Sequence, residues 1–297
     1  MNMQPETRLA AGLLSPALLV ITIFMVVPIA ITTIYSFLEP ARYGGVVWNF
    51  SAEAYIRVLF ERDIFDDSLS FSTDYIRIFA RSLIQAGVAT VLCLMVGIPA
   101  AWFIATRSDR QKSVWLVLIT IPYWVNLLVR TIALLLILRD EGPINSGLQS
   151  LGLTSGPLPL AYNDFAVGLG LVYSFLPFMI LPLYAAFERF DFRLLEAAYD
   201  LHANRFQAVF KVVLPILKPG IVAGSLLVFI PGIGAFLAPD ILGGGKTLMI
   251  GNLIGQQFQG SRNWPFGAAL STILLVFTLI ALFWSARRSA KAGGEVI

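Results

Sequence analysis

Residues 196–215 read EAAYDLHANRFQAVFKVVLP, a polar stretch of mixed charge between two long apolar runs. The flanking runs, 165–187 and 219–239, contain no Asp, Glu, Lys or Arg. Each is long enough to cross a hydrocarbon core, for which a helix needs about 20 apolar residues. A chain whose apolar runs lie in lipid keeps so large a polar segment on one face when a soluble protein docks there. The stretch therefore predicts a membrane protein with a docking segment between two spans.

The rest of the chain continues this pattern of apolar runs. The sequence is 57% hydrophobic and 13% charged, against about 25% charged in a soluble domain. Four further runs reach spanning length, and Arg130 is the single charged residue within them. A helix satisfies its own backbone polar groups, so we predict an all-α membrane protein with six transmembrane helices. The alternative, a soluble helical core, would show polar residues at helical spacing, and these runs lack them. The predicted spans are residues 10–37, 79–106, 113–138, 164–187, 215–237 and 264–286.

The distribution of basic residues predicts the orientation. Arg and Lys are concentrated in the loop 107–112, in the segment 189–218 and in the tail after residue 286. The positive-inside rule then places these segments and both termini in the cytoplasm. The segment 39–77 carries four Arg and seven acidic residues, and we place it outside. The first apolar run is too long for the core of a signal peptide and is predicted to be a retained helix.

Within the predicted external loop 39–77, we expect a short interfacial helix at about residues 52–60. A flexible turn is expected near Asp66 and Asp67. We see no internal repeat and no appended soluble domain, so the whole chain, 1–297, is interpreted as one membrane domain.

Several functional classes are excluded by what the sequence lacks. A single cysteine, Cys93, gives neither a disulfide framework nor a thiolate metal site. The net charge of +3 is explained by the inside loops and does not indicate nucleic-acid binding. The triplet Gly245-Lys246-Thr247 resembles the end of a phosphate-binding loop, but the required preceding glycine is Asp240. The lone His202 has no catalytic partner, so we expect no catalytic residue, no metal and no cofactor on this chain.

The stretch 196–215 matches a known motif in its spacing. Glu196-Ala197-Ala198 is followed after three residues by His202, and after nine more by Val212-Val213-Leu214-Pro215. This pattern resembles the EAA loop of bacterial ABC importer permeases, in which Gly stands at the position of His202 and Ile at that of Val212. We name residues 189–218 the EAA-like segment. We expect helical residues 194–201, a break at 202–204 and a second helical turn at 205–213.

The resemblance implies the type I ABC importer permease fold (MetI-like) and a short helix that sits in a groove of an ATPase subunit. Glu196 would make polar contacts there, and Ala197 and Ala198 would allow close approach. The departure at His202 bears on the geometry of the local turn, because His adopts a positive φ less readily than Gly. The residues assigned to ATPase coupling are Glu196, Ala197, Ala198, Asp200, His202, Leu214 and Pro215.

Four further segments, 121–131, 138–145, 229–252 and 263–268, are similar to spermidine/putrescine permeases. The resemblance implies import of polyamines across the bacterial inner membrane. It also implies an assembly with a second related permease, two ATPases that bind ATP and Mg²⁺, and a periplasmic binding protein. Membrane lipid is an expected partner and nucleic acid is not.

Other transporters remain as alternatives. Permeases for opines, phosphonates or iron share this layout, so the substrate stays open among these classes. A secondary transporter would carry carboxylates inside its spans and inverted repeats, and a channel would need a selectivity ring. The sequence offers none of these features.

A cationic cargo is typically held by carboxylates and aromatic faces, and helix breaks at proline favour either a pathway or tight packing. The ionised Arg130 is costly inside a span. We expect it to be structural, paired with a carboxylate such as Asp240 or extended towards the surface, because an unpaired cation would repel a polyamine. An anionic cargo would reverse that argument. The pathway candidates are Tyr123, Trp124, Asn126, Arg130, Tyr173, Phe236 and Asp240.

Overall fold

The computed structural model describes residues 14–62 and 69–293. Twelve helices and four short strands are present in these residues. The helices are α1 (Leu14–Tyr35), α2 (Glu53–Leu59), α3 (Asp74–Ala105), α4 (Asp109–Trp124), α5 (Leu127–Leu138), α6 (Pro143–Ser150), α7 (Asp164–Glu188), α8 (Arg193–Asp200), α9 (Arg205–Ile233), α10 (Leu237–Leu242), α11 (Ile250–Gln259) and α12 (Trp264–Gly293). The strands are β1 (Leu38–Pro40), β2 (Val46–Phe50), β3 (Phe60–Arg62) and β4 (Leu69–Phe71).

The prediction of a helical protein with up to six spans is confirmed. Five helices, α1, α3, α7, α9 and α12, are individually long and apolar enough to cross a membrane, and α4 reaches this standard together with the stretch Leu127–Ser150, which contains α5 and α6. The chain divides into two compact units. One contains the described residues up to Ile76 together with Ile254–Phe277, and the other contains Arg77–Leu253 and the described residues from Thr278 onward.

The third span is not the continuous helix predicted for residues 113–138. Helix α4 begins at Asp109 and ends at Trp124, and the stretch Leu127–Ser150, which begins with α5, follows at an angle of 90°. Val125 and Asn126 between them have extended backbone angles. The Asn126 side chain accepts a hydrogen bond from the Leu128 amide at 2.8 Å, so it caps the new helix. The break therefore lies at the capping Asn126, and α4 continues through Pro122.

The fifth span begins earlier than the predicted residue 215. Helix α9 starts at Arg205 and continues without interruption through Pro215 and Pro219 to Ile233. A π-helical turn at Val209–Val213 precedes Pro215, and a similar turn at Thr22–Val26 precedes Pro28 in α1. Proline lacks the N–H of a helical hydrogen bond and its ring crowds the carbonyl four residues back. We infer that the wider π turn accommodates the ring.

The predicted helix near residues 52–60 is confirmed as α2. Strands β1 and β2 form one antiparallel hairpin, and β3 and β4 form another; neither was predicted. The rings of Phe37 and Tyr55 lie 4.9 Å apart at the base of the first hairpin. The Ser36 hydroxyl is 2.7 Å from that of Tyr55. The turn expected at Asp66 and Asp67 lies outside the described residues.

Small residues allow close packing of α7 and α9 in the second unit. Gly220 and Gly224 lie one turn apart on α9, at the spacing of small residues in transmembrane helix contacts. A methyl group placed on Gly220 would lie 2.6 Å from the Ala186 Cβ and 2.9 Å from the Pro182 carbonyl oxygen, both on α7. A methyl group on Gly224 would lie 2.8 Å from the Met179 sulfur. The two backbones therefore approach more closely than larger residues would permit.

Candidate functional site

The EAA-like segment presents one buried and one exposed face. The short helix α8 follows Asp191, whose carboxylate accepts a hydrogen bond from the Arg193 amide at 3.0 Å. Leu195 and Ala198 are buried in the apolar cluster that also contains Phe187 at the end of α7. The apolar side of α8 therefore packs into the same cluster as the end of α7, which is a predicted span.

The residues assigned to ATPase coupling are divided between these two faces. Glu196, Ala197, Asp200 and His202 are exposed, whereas Ala198 is 8% exposed and contacts its own chain. Ala198 therefore packs within its own chain, and its role in the close approach of an ATPase stays a prediction. Leu214 is half-buried and Pro215 exposed, within α9.

His202 follows the C-terminal end of α8 and adopts a left-handed backbone conformation, with a φ of 61°. Its amide donates a hydrogen bond to the Tyr199 carbonyl at 2.9 Å, and the Ala203 amide donates one to the Ala198 carbonyl at 3.0 Å. These two bonds form a Schellman motif, in which Gly is the preferred residue at the left-handed position. The turn is thus left-handed with His at a position that favours Gly, at the cost of a strained backbone angle.

We expect His202→Gly to stabilise the protein by about 1 kcal/mol, because Gly has no Cβ to oppose a positive φ. The measurement is the thermal unfolding midpoint of the purified protein. Ala197→Gly is the matched control. It places Gly at an exposed position inside α8, where helix propensity is lost, and should lower the midpoint. An unchanged or lower midpoint for His202→Gly would contradict strain at this turn.

A second turn connects α8 to α9. The Asn204 side chain accepts a hydrogen bond from the Gln207 amide at 2.8 Å, and the Gln207 side chain accepts one from the Asn204 amide at 3.0 Å. This reciprocal capping box fixes the first turn of α9. The expected break at residues 202–204 is confirmed, but no second break separates the EAA-like segment from the span.

Three apolar side chains of the EAA-like segment point away from the protein, and sequence reasoning did not select them. Leu201 is 83% exposed, Phe206 77% and Phe210 63%. Phe206 and Phe210 are four residues apart and share one face of α9. Exposed apolar groups among polar neighbours indicate an interaction surface. That helical spacing was the available signal in the sequence.

Arg130 is 7% exposed and lies on α5. Its guanidinium carbon is 5.2 Å from the ring centre of Tyr123 and 6.0 Å from that of Tyr173. Among the residues described, no carboxylate forms an ion pair with it. Its Nε and Nη1 atoms are buried without a hydrogen-bond partner. The expected pairing with Asp240 is therefore absent, because Asp240 is an exposed residue on α10.

The remaining pathway candidates occupy different environments. Tyr123 packs edge-on against Phe178, with the ring centres 5.0 Å apart. Trp124 is 78% exposed at the end of α4. Phe236 is half-buried beside α10. Of the candidates, Tyr123, Arg130 and Tyr173 are the ones that the structure brings together.

Asn145 lies in the segment 138–145, which resembles known permeases, and it holds the loop around α6. It is fully buried, and its amide nitrogen donates hydrogen bonds to the carbonyls of Arg139 (3.2 Å) and Leu158 (3.0 Å). Its oxygen accepts a bond from the Leu158 amide at 2.8 Å. This side chain therefore fixes the loop on both sides of α6. A cavity of about 570 Å³ adjoins the loop, lined by side chains of both charges that include Asp140, Glu141 and Lys246.

Residues 94–291 match the family model described as "binding-protein-dependent transport system inner membrane component". The chain belongs to this family. The match includes the whole EAA-like segment and the Arg130 region, and it begins after the two hairpins.

Curated relatives of this family member agree with the assignment. The spermidine/putrescine transport system permease protein PotB of Haemophilus influenzae is 44% identical over 213 residues, covering 72% of this chain and 74% of the relative. PotB of Escherichia coli K12 is 42% identical over 216 residues, covering 72% and 78%.

A solved structure shows the same fold. The match is to a bacterial alginate ABC transporter in complex with an alginate pentasaccharide-bound periplasmic protein, with a TM-score of 0.72. It covers 97% of this chain and 96% of the matched chain at 16% identity. The expectation of an ABC permease fold is confirmed.

Proposed function

We propose that this chain is a membrane-spanning permease subunit of an ATP-driven polyamine importer. The observation that carries the proposal is the sequence identity of more than 40% to relatives named spermidine/putrescine transport system permease proteins. The proposed cargo is putrescine or spermidine. The proposed location is the bacterial inner membrane, with both termini and the EAA-like segment in the cytoplasm.

The proposed assembly contains a second, homologous permease, two ATPase subunits and a periplasmic binding protein. ATP and Mg²⁺ would be bound by the ATPases, and this chain would contribute the pathway and its movement. The exposed Glu196 and Asp200, together with Leu201, Phe206 and Phe210, form the surface proposed to contact an ATPase. Acidic groups would provide orientation there, while the apolar groups would provide most of the affinity.

The geometry of α8 and α9 supports a mechanical role for this surface. Helix α9 extends over 29 residues from the docking surface into its span, a length of about 43 Å at the helical rise. Because Leu195 and Ala198 of α8 lie in the buried apolar cluster that includes Phe187 of α7, a force on the surface proposed to contact an ATPase would act on two spans together. ATP-driven closure of the ATPases would thereby alternate the access of the pathway between the two sides.

The proposal is tested by uptake of radiolabelled putrescine and spermidine into cells that lack other polyamine importers and express the complete assembly. ATP-dependent accumulation is expected, and competition by unlabelled phosphonate, opine or ferric iron is not. Absence of polyamine uptake by an assembled, ATP-hydrolysing complex would contradict the substrate assignment.

The buried Arg130 favours one second candidate, an anionic cargo. Under that alternative, Arg130→Gln should abolish uptake of the anion at normal protein levels, whereas Asp240→Asn is tolerated. For a polyamine contacted by Asp240, Asp240→Asn should weaken uptake, and Arg130→Gln should be the milder change.

The proposed orientation predicts which positions an impermeant thiol reagent reaches. Ser155→Cys should react in intact cells, whereas Ser108→Cys should react after permeabilisation alone. Both positions are exposed, and the natural Cys93 is fully buried and gives little background. Labelling of Ser108→Cys but not Ser155→Cys in intact cells would invert the orientation.

A further inference from the structure

The surroundings of Arg130 have the chemistry of a site for an organic cation. A guanidinium within about 6 Å of an aromatic ring centre is attracted to the ring face, and this holds for alkylammonium ions as well. Tyr123 and Tyr173 supply two such rings, from α4 and α7, at 5.2 Å and 6.0 Å from the Arg130 guanidinium carbon. The cation that occupies the pair in this structure is therefore part of the protein itself.

Arg130 is an incompletely satisfied occupant. Its Nε and Nη1 atoms are buried and have no hydrogen-bond partner, and within residues 14–62 and 69–293 it has no ion pair. A buried charged group without partners is costly. The two ring contacts compensate for that cost in part. A second cation whose N–H groups are better solvated or better paired than those of Arg130 would therefore compete for the same rings.

The surrounding backbone allows such an exchange. Tyr123 remains 45% exposed and Tyr173 43% exposed, so both rings are accessible from outside the chain. Arg130 lies on α5, which is separated from α4 by the extended residues Val125 and Asn126. The arginine and the two tyrosines are thus on three different helices, and a change of angle at this break would move Arg130 relative to Tyr123.

We propose that Tyr123 and Tyr173 form a binding site for an alkylammonium group of the cargo, and that the Arg130 guanidinium fills this site until the cargo displaces it. The inference rests on the proposed polyamine function, because the cargo must be an organic cation. The like charge of Arg130 then has a role. It keeps the tyrosine pair closed to inorganic cations and yields to a cargo that brings several ammonium groups.

The test is direct binding of radiolabelled putrescine and of tetramethylammonium to the complete assembly in lipid nanodiscs, without the binding protein. Arg130→Met removes the competing cation with a side chain of similar length. Two vacated ring contacts should then tighten binding of both probes by about tenfold or more. Arg130→Gln should give a gain of the same direction and serves where Arg130→Met assembles poorly. Arg130→Lys retains a cation and should give the smallest gain.

The control is removal of the rings in the variant background. Tyr123→Leu and Tyr173→Leu, added to Arg130→Met, should each reduce the gain, and together they should abolish it. An unchanged affinity in both neutral variants, or a gain that persists without the tyrosines, would overturn the inference. If the wild-type assembly imports no polyamine but Arg130→Met binds tetramethylammonium through the tyrosines, the cation site stands and the proposed function fails. If polyamines are imported but no gain is seen, the function stands and the site fails.

Discussion

Glu196→Lys should reduce transport by at least tenfold while the protein remains inserted at its normal level. Glu196 is exposed on α8, at the position that the family resemblance assigns to polar contact with the ATPase. Lysine would place a positive charge where an acidic group is expected, and loss of a desolvated charge contact at an interface costs 2 kcal/mol or more. The measurement is uptake of cargo, together with cargo-stimulated ATP hydrolysis, by the assembled complex.

Asp109→Lys provides the matched control. Asp109 is a fully exposed acid outside the EAA-like segment, and its pairing with Lys112 at 3.4 Å is at the surface, where such pairs contribute little. The same charge reversal should leave uptake within about twofold of the wild type. Equal losses in both variants would indicate a general effect of charge, and normal uptake by Glu196→Lys would remove the coupling role.

Gly220→Leu should largely eliminate folded protein. Even a single methyl group at this position meets the Ala186 Cβ at 2.6 Å and the Pro182 carbonyl oxygen at 2.9 Å. Neither atom belongs to a flexible side chain, so α7 and α9 must separate. Overpacking of a close contact costs about 1–3 kcal/mol for modest enlargement, and more for a side chain of this size. The measurements are membrane protein level and the unfolding midpoint, with Gly220→Ala as the milder member of the series.

Gly87→Leu is the corresponding control. Gly87 also lies within a spanning helix, α3, but a methyl group built on it meets nothing within 4 Å. The same change there should leave the level of folded protein near normal, and Gly87→Ala should be neutral or mildly stabilising. Similar losses at both glycines would show that backbone flexibility, and not helix contact, is the property that matters.

The sequence predicts most spans because apolar length is a direct consequence of bilayer thickness. It fails at the break after Trp124. The residues at the break, Val125 and Asn126, are neither Gly nor Pro. The nearby Pro122 lies inside α4. The break depends on capping by Asn126, and an isolated Asn in an apolar run also suits a buried polar contact. Composition does not separate the two.

In the candidate sites, features that depend on neighbouring residues could be predicted from the sequence, whereas contacts between distant residues could not. The break at His202 follows from the local motif, and the structure adds the hydrogen bonds that make it. Ala197 and Ala198 were given one shared role because the motif treats the two alanines alike, whereas helical phase leaves Ala197 exposed and turns Ala198 inward. The partner of Arg130 could not be derived, because Tyr173 is more than forty residues away and approaches only in the folded chain.

The unbroken course of α9 from Arg205 to Ile233 also sets an angular constraint. Each residue of an α-helix adds about 100° of rotation, and the π-helical turn at Val209–Val213 adds its own fixed rotation, so the side on which Phe206 and Phe210 emerge is fixed relative to the side of Gly220 and Gly224. A flexible joint would let the two ends of α9 rotate independently of each other. A single helix does not allow this. Insertion or deletion of one residue between them would turn the docking surface by over a quarter of a circle while every side chain on it stayed the same. Lengths in this part of the chain are therefore constrained as strictly as residue identities.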